Sequence, residues 1–412
     1  MTTPKKVLFI SYDGMTDPLG QSQVIPYLQG LSQHGYTIFL LSCEKEQVFE
    51  KNKHSVEQLL SGYDIIWVPV DYTKRPPVLS TLLDIRKLKR TAKKIHEKHS
   101  IDMVHTRPGI PSMVGLWMKK KMGVKFLNDI REFYADSRVD GGMWKKSNPL
   151  YRMIYNYFKK NEAEEVAKSD GIVCLTYAAE KIIRQWPEYK TSTPLSVIPC
   201  SADLNLFDSN HIDAHQVDWQ TQRLNIKPGD FVISYLGSIG GWYMTAEMMQ
   251  FCKRVSEKIP AAKFLFISPH HHKTIIDTAA QYGLPEEKII TTHASRKEVP
   301  ALLSLSRYSL FFIKPCYSKQ SSSPTKHGEL MAMGIPVITN SGVGDVAEIV
   351  ERYHAGYVLN ECNDAEYDRV IAKIAANSTF DKAEIRRGAV EFYSLQNAVK
   401  KYFDMYDQIL GT

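Results

Sequence analysis

The stretch Ser321-Ser322-Ser323-Pro324-Thr325-Lys326-His327-Gly328-Glu329-Leu330-Met331-Ala332-Met333-Gly334-Ile335-Pro336-Val337-Ile338 reads as a polar loop, a helix start, a short helix, a Gly-Ile-Pro turn and an apolar strand. Ser323 is placed to cap the helix through its hydroxyl, and Pro324 suits the first helical position, where its missing N–H costs nothing. The amides of Ser322, Ser323, Thr325 and Lys326 would then face one point. A helix N-terminus carries unpaired donors and partial positive charge, so that point suits a phosphate, and Lys326 adds a full charge. Glu329, a turn further on, could accept hydrogen bonds from the vicinal hydroxyls of a ribose. The same residues would equally make an ordinary capped helix packed on a sheet, and the stretches on either side have to decide.

Around this stretch the second half of the chain alternates strands with helical patterns: Phe231–Leu236, Lys263–Ser268, Lys288–Thr291, Ser309–Ile313, Val337–Thr339 and Gly356–Leu359 read as strands of a doubly wound sheet. The loop Gly237-Ser238-Ile239-Gly240-Gly241-Trp242-Tyr243 follows the first of them and occupies the ligand-binding rim, which brings in Gly237 and Ser238. Arg296, in the segment His293–Pro300 after another strand, is placed to flank a base. His270-His271-His272 invites a metal reading. Three adjacent loop histidines cannot easily face one ion, however, and no carboxylate or cysteine lies close by, so no metal is expected.

The first half is also α/β. Val7–Ser11, the helical stretch Val24–His34 and Thr37–Ser42 make a βαβ unit with a right-handed crossover. The loop between them carries Gly20 just before the helix, where a ligand could approach the backbone closely, but no GxGxxG fingerprint occurs in it. Ile65–Val70 is a strand closed by Pro76-Pro77. Two later strand ends, His105-Thr106-Arg107-Pro108-Gly109 and Asn128-Asp129-Ile130-Arg131, are rich in ionisable groups and should share one rim. A lone histidine is more often structural, but His105 beside Arg107, Asp129 and Arg131 has better odds of facing a cleft. Arg138–Trp144 reads as a polar loop with an aromatic anchor. Between Leu82 and Lys98, apolar Ile85, Leu88, Ala92 and Ile95 share a face, and Lys89, Arg90, Lys93 and Lys94 fill the rest. That is a basic amphipathic helix of the kind that lies on anionic lipid, or a surface helix whose charges are simply solvated.

Composition sets the limits. A chain of 412 residues is too long for one core, so two domains are expected. No apolar run reaches the roughly 20 residues of a membrane span, and Met1–Lys6 leads into an apolar segment too short for a signal peptide. The 6 cysteines are scattered without paired spacing and read as reduced cytosolic thiols. Residues 1–205 hold 30 Lys+Arg against 22 Asp+Glu, and the remainder 22 against 23. The surplus of the net +7 therefore lies in the first half, which suits a membrane surface or a phosphate-bearing acceptor better than nucleic acid.

Together, two Rossmann-like halves, the loop Asp17-Pro18-Leu19-Gly20-Gln21-Ser22-Gln23, His105, the Asp129-x-Arg131 segment with Asp140-Gly141-Gly142, the helix start Ser323-Pro324-Thr325-Lys326-x-Gly328-Glu329 and Ser341-Gly342-Val343-Gly344-Asp345 resemble bacterial retaining glycosyltransferases of the GT-B fold, family 4 type. The resemblance implies two doubly wound parallel-sheet domains facing across a cleft. Residues 1–205 would be the acceptor-side domain, 206–229 a linker, 230–394 the nucleotide-sugar domain and 395–412 a terminal helix crossing both. It implies sugar transfer with retained configuration and without metal or cofactor. The donor is a nucleotide sugar and the acceptor a glycan or lipid-linked glycan of the bacterial surface. The enzyme would be cytoplasmic, peripheral on the inner membrane face. Glu329 would hold the ribose, and Ser322, Ser323, Thr325 and Lys326 with Gly20 would surround the pyrophosphate. His105 would contact the donor sugar, and Asp129 and Arg131 would shape the sugar or acceptor pocket. The sequence departs from the family at position 321, where the first of two glutamates is replaced by serine, and after Gly237, where the usual Arg and Lys are missing; Lys326 is the substitute expected. A GT-B sugar-nucleotide epimerase and a non-catalytic sugar-nucleotide-binding protein are the competing readings.

Overall fold

The structure, a computed structural model, describes residues 4–76, 79–376 and 378–411. It divides into two units. The first comprises the described residues up to Pro199 together with those from Leu395 onward, and the second is Cys200–Ser394.

The first unit is built on seven parallel strands: β1 (Lys6–Ser11), β2 (Thr37–Glu44), β3 (Ile65–Asp71), β4 (Met103–Thr106), β5 (Lys125–Ile130), β6 (Gly171–Cys174) and β7 (Leu195–Val197). They lie in the order β3-β2-β1-β4-β5-β6-β7. Helices cover both faces, so the central strands are apolar on both sides, as in the fully buried run Val7-Leu8-Phe9-Ile10. The order reverses between β1 and β4, and the carboxyl ends of strands at such a point are where open α/β sheets take ligands. Pro77, expected to close β3, lies outside the described residues.

The helix Leu79–His99 places Leu88, Ala92 and Ile95 in the core with Leu8, Ile10 and Phe39. The face formed by Leu88, Ala92 and Ile95 is therefore used within the unit, as in a surface helix whose charges are solvated. Lys89 leans over the Trp117 ring, 5.6 Å from its centroid, and Lys93 pairs with Glu97 at 3.4 Å. Arg90 and Lys94 are exposed.

The second unit holds β8 (Phe231–Leu236), β9 (Ala262–Ile267), β10 (Ile289–Thr292), β11 (Tyr308–Phe311), β12 (Val337–Asn340) and β13 (Gly356–Leu359), all parallel in the order β10-β9-β8-β11-β12-β13. Two boundaries differ from the sequence reading. The division falls after Pro199 rather than after residue 205, because Ala202 and Phe207 are buried in the second core. Residues 206–229 are no plain linker: they hold the helix Ala214–Arg223, and Leu206, Ile212, Leu224 and Ile226 pack on that core. A search for strands passes over such a segment.

The last helix, Leu395–Leu410, is clustered with the first unit, where Ala398, Tyr402, Met405, Tyr406 and Ile409 pack with Val7, Phe9, Leu28 and Val173. Two glycines let it settle. A Cβ on Gly30 would stand 2.6 Å from Val399, and one on Gly171 would stand 2.5 Å from Ile409. Among the described residues no helix is long and apolar enough to cross a membrane.

Candidate functional site

In the second unit, β8 is followed by Gly237, whose φ of +115° suits only glycine, and the loop turns on through Gly240 and Gly241, also at positive φ. The helix Thr325–Ala332 brings Lys326 beneath this loop. Its ammonium would lie 3.0 Å from a Cβ on Gly237, so the glycine keeps both the backbone angle and the space. The ammonium sits 3.9 Å from the ring centroid of Tyr243 and 4.5 Å from that of Tyr235. Tyr235 donates its hydroxyl hydrogen to the carbonyl of Ser238 and so ties the loop down. Lys326 is buried, and among the described residues no carboxylate pairs with it. Burial pulls the amine from the ordinary lysine value down to about 7, with Glu329 opposing only in part.

One turn on, Glu329 is buried and accepts a hydrogen bond from Arg296 Nη1 at 2.9 Å. Burial pushes its carboxyl up and Arg296 pulls it back. The guanidinium also lies over Phe207, 5.3 Å from the ring centroid. Arg296 and Glu329 are thus drawn together as a pair. His327 between them is a core residue: its Nδ1 is 2.9 Å from the Tyr393 hydroxyl and burial pulls the ring down to about 3. Gly328 exists for packing, since a Cβ there would meet Tyr393 at 2.8 Å.

The helix start differs from the reading of its sequence. Pro324, not Ser323, is the capping position, and no side chain caps the helix. Ser323 Oγ instead accepts from the amide of Cys200 at 3.2 Å, because the chain at the start of the unit runs past it. The amide of Ser322 is not available either, as it donates to the Lys319 carbonyl at 3.1 Å. Thr325 and Lys326 supply the first helical amides, which have no acceptor within their own helix. Ser321 is fully buried with its hydroxyl donating to the Ser318 carbonyl at 2.8 Å. Sequence reasoning passed over Tyr235, Tyr243 and Lys319, which lies 3.7 Å from the Trp242 ring centroid. The only available signal was the aromatic pair Trp242-Tyr243 behind a Gly-Gly turn.

In the first unit, His105, Asp129 and Arg131 form one cluster, buried against the last helix. His105 Nδ1 is 2.8 Å from the Tyr406 hydroxyl, and its Nε2 is 3.5 Å from Asp129 Oδ2. Tyr402 donates to Asp129 at 2.7 Å, and Arg131 reaches Asp129 at 3.3 Å and the Tyr402 oxygen at 3.0 Å. Burial keeps His105 below its ordinary value. Burial alone would raise the Asp129 carboxyl, but Arg131 and His105 hold it down at about 2. The reason is the pleat: in β4 alternate residues face opposite sides, and His105, paired with Phe9, faces the layer that the last helix covers.

The rim residue is Arg107, beyond the strand. It donates from Nη1 to the Gln23 carbonyl at 3.3 Å and approaches Asp13 at 3.7 Å. Gly20 lies inside the helix Pro18–Gln23 rather than just before it, and only glycine fits there, because the carbonyl of Gly14 lies 2.3 Å from where a Cβ would stand. The loop it packs on is held by buried Glu44, which accepts from the amides of Met15 and Thr16 at 2.7 and 3.2 Å. The segment Arg138–Trp144 starts inside the helix Tyr134–Asp140. Arg138 pairs there with Glu132 at 2.7 Å and Trp144 is anchored on Phe158. Of the three adjacent histidines, His272 binds the Ser268 carbonyl at 2.8 Å and stacks on His293.

Comparison with known proteins gives this architecture a relation. Residues 217–389 match the family described as Glycosyl transferases group 1. No curated protein matches the chain by sequence. Solved structures share the fold over essentially the whole length. A glycosyltransferase from Rickettsia africae superposes with a TM-score of 0.73 at 16% identity, over 99% of both chains. Anabaena HepE in complex with UDP gives 0.71 at 12%, over 98% of this chain and 99% of that one, and it has also been solved with UDP-glucose. WaaG, a glycosyltransferase involved in lipopolysaccharide biosynthesis, gives 0.64 at 12%, over 98% and 97%.

Proposed function

From a GT-B fold whose second unit is a glycosyl transferases group 1 domain, we propose that this enzyme moves a sugar from a nucleotide-sugar donor to a hydroxyl of a glycan or lipid-linked acceptor in bacterial surface polysaccharide synthesis. The observation that carries the donor reading is Lys326, a buried ammonium that meets no carboxylate and lies beneath a glycine turn. A buried cation needs an anion to be stable in its charged form. The diphosphate of the donor meets that need, with the amides of Thr325 and Lys326 donating to its oxygens. Glu329 takes the ribose hydroxyls, and Arg296 holds that carboxylate in place beside the base. Complexes of HepE with UDP and UDP-glucose support a uridine nucleotide as the first donor to try.

Transfer proceeds with retention of configuration and needs no metal or cofactor. As the anomeric carbon–oxygen bond breaks, negative charge grows on the departing diphosphate, where Lys326 and the helix amides stabilise it. The acceptor hydroxyl attacks from the face the diphosphate leaves. Its proton passes to the departing phosphate oxygen, so no enzyme nucleophile is required. The enzyme works in the cytoplasm, peripheral on the inner face of the membrane.

A thermal-shift panel of nucleotide sugars tests the reading. A donor at a hundredfold excess over its Kd stabilises by about 2.7 kcal/mol, a rise of roughly 5–10 °C for a unit of this size. Glu329→Gln and Arg296→Ala should each shrink that rise. Incubation with donor alone separates an epimerase, which would isomerise it. A panel in which no nucleotide sugar shifts the melt would end the proposal.

A further inference from the structure

The second unit holds a cavity of about 330 Å³ on the rim opposite the Gly237 loop. Tyr308 opens β11 and Pro336 immediately precedes β12, so the cavity lies at the amino ends of these strands, whereas Gly237 follows the carboxyl end of β8. Its size is that of a small-molecule site. One wall is the turn Met333-Gly334-Ile335-Pro336, which leads out of the helix carrying Lys326 and Glu329. Gly334, at a φ of +68°, lets the start of the helix Lys382–Tyr393 close the cavity, since a Cβ there would stand 2.9 Å from that of Lys382.

The walls are basic and rich in hydroxyls. Arg307 and Lys382 are exposed and contribute a guanidinium and an ammonium, and no Asp or Glu among the described residues lines the cavity. Asp381, beside Lys382 in the chain, is engaged in capping the helix through the amides of Ala383 and Glu384. Ser306 Oγ is buried with no hydrogen-bond partner among the described residues, and buried hydroxyls rarely stay so. Ser304 and Ser378 already donate, to the carbonyls of Ala301 and Lys373, and so present oxygens that accept. Tyr308 and Phe380 meet edge to face with ring centroids 5.8 Å apart and give the cavity an aromatic side.

We infer that this cavity binds a small phosphate monoester carried on a ring, and that its occupancy strengthens donor binding at the other end of the Lys326 helix. Arg307, Lys382 and Ser306 donate to the phosphate, and the ring lies against Tyr308 and Phe380 with its polar groups towards Ser304 and Ser378. A cationic ligand would meet two like charges and no carboxylate. The link to the donor site runs through Arg386, one turn along from Lys382. It donates to the carbonyl of Ala332 at the end of the Lys326 helix, to those of Leu204 and Phe207 at 3.1 and 2.9 Å, and to Asp208 at 2.9 Å. Asp208 adjoins Ser209 in the cavity wall, and the Phe207 ring lies under Arg296, which holds Glu329. Met333 and Lys326 are separated by only about 10 Å of helix. A ligand that fixes the turn, Ser209 and Lys382 together fixes the Arg386 clamp, and through it both partners of the Arg296–Glu329 pair. A site already ordered costs the donor less to bind. The coupling rests on the transferase reading; the cavity's own ligand does not.

The full chain with isotope-labelled methionine methyls reports on the cavity through Met333, whose NMR signal Met333→Leu identifies. Phenyl phosphate and glucose 6-phosphate are the probes, and the one that shifts this signal at the lower concentration names the ring as aromatic or sugar. The better probe should bind more tightly than inorganic phosphate and than phenol or glucose. Arg307→Gln and Lys382→Gln combined should weaken it by at least about tenfold at an unchanged melting temperature. Thr379→Trp, at an exposed position of the wall, should block it, and Lys326→Met should leave it unchanged. With the cavity saturated, the Kd for UDP-glucose read by calorimetry should fall by at least about fivefold in the native chain and stay put in the glutamine variant. The inference is overturned if neither monoester shifts Met333, if inorganic phosphate or the uncharged ring binds as well, if the glutamine variant binds as the native chain does, or if saturation leaves UDP-glucose affinity where it was. A chain that binds no UDP-glucose while the Met333 response persists overturns the transferase reading and leaves the cavity's ligand standing.

Discussion

Lys326→Met separates a functional cation from a structural one, because it should move stability and binding in opposite directions. The amine falls from the ordinary lysine value of 10.5 to about 7 on burial. At pH 6 the ammonium is charged both folded and unfolded, so the folded state carries the whole cost of burying it, at most about 4–5 kcal/mol at 1.36 kcal/mol per unit. As pH rises through 7 towards 10.5 the folded amine loses its proton first, the unfolded chain binds more protons, and stability rises. Methionine fills similar space beneath Tyr243 without charge, so the variant should melt higher than the native protein at pH 6, with the gap narrowing by pH 9. Binding should show the reverse. A sugar nucleotide's diphosphate has no proton that titrates near neutrality, so a proton taken up on binding belongs to the protein. At pH 8 the amine of the empty site is about nine-tenths neutral, and diphosphate binding should draw in nearly one proton. Calorimetry in buffers of different ionisation enthalpy measures that uptake. The native Kd should weaken by up to about tenfold per pH unit above 7. The methionine variant should take up none and bind roughly 2–5 kcal/mol more weakly at pH 6, at least about thirtyfold. A variant that melts lower at pH 6, binds as the native protein does and keeps the proton uptake would refute the assignment.

Two further outcomes follow from the buried polar groups. Tyr402→Phe deletes the hydroxyl that donates to Asp129 and accepts from Arg131, and should cost about 1–3 kcal/mol in urea melts while leaving UDP-glucose affinity unchanged; a variant of native stability would show that the cluster is not structural. Burial holds His327 at about 3, so below the ordinary value near 6.5 the unfolded chain protonates first and stability falls with pH, by up to about 1.36 kcal/mol per unit until about pH 3. His327→Gln should reduce the fall in melting temperature between pH 6.5 and 4, with the remaining slope from other lowered groups such as His105, Asp129 and Glu366, and an unchanged profile would contradict this origin.

The sheet architecture was legible because its signal is local. Each parallel strand is buried on both faces and announces itself as an apolar run, and the spacing of the runs leaves room only for crossover helices. Less legible was what depends on which face a side chain takes or on what arrives from far along the chain. His105 looked like a rim residue by sequence position, but one step of pleat decides between rim and core. The helix that buries it comes from 301 positions away through Tyr406. Ser323 looked like a cap because nothing in its own neighbourhood competes for its hydroxyl; the competitor is the amide of Cys200, 123 positions earlier. Gly20 looked like the residue before a helix, and it stands inside the helix Pro18–Gln23 with Gly14 packed where a Cβ would go. Lys326 was read as a full charge near the helix start. Its value near 7 arises because it is buried among Tyr235 and Tyr243, with the Tyr235 hydroxyl at 3.5 Å and no paired carboxylate among the described residues, and no residue-level pattern encodes the absence of an ion pair. That absence is what gives the lysine its leverage. A cation already neutralised by a glutamate would gain little from a diphosphate, whereas one held at the edge of losing its proton gains its full charge only when the anion arrives.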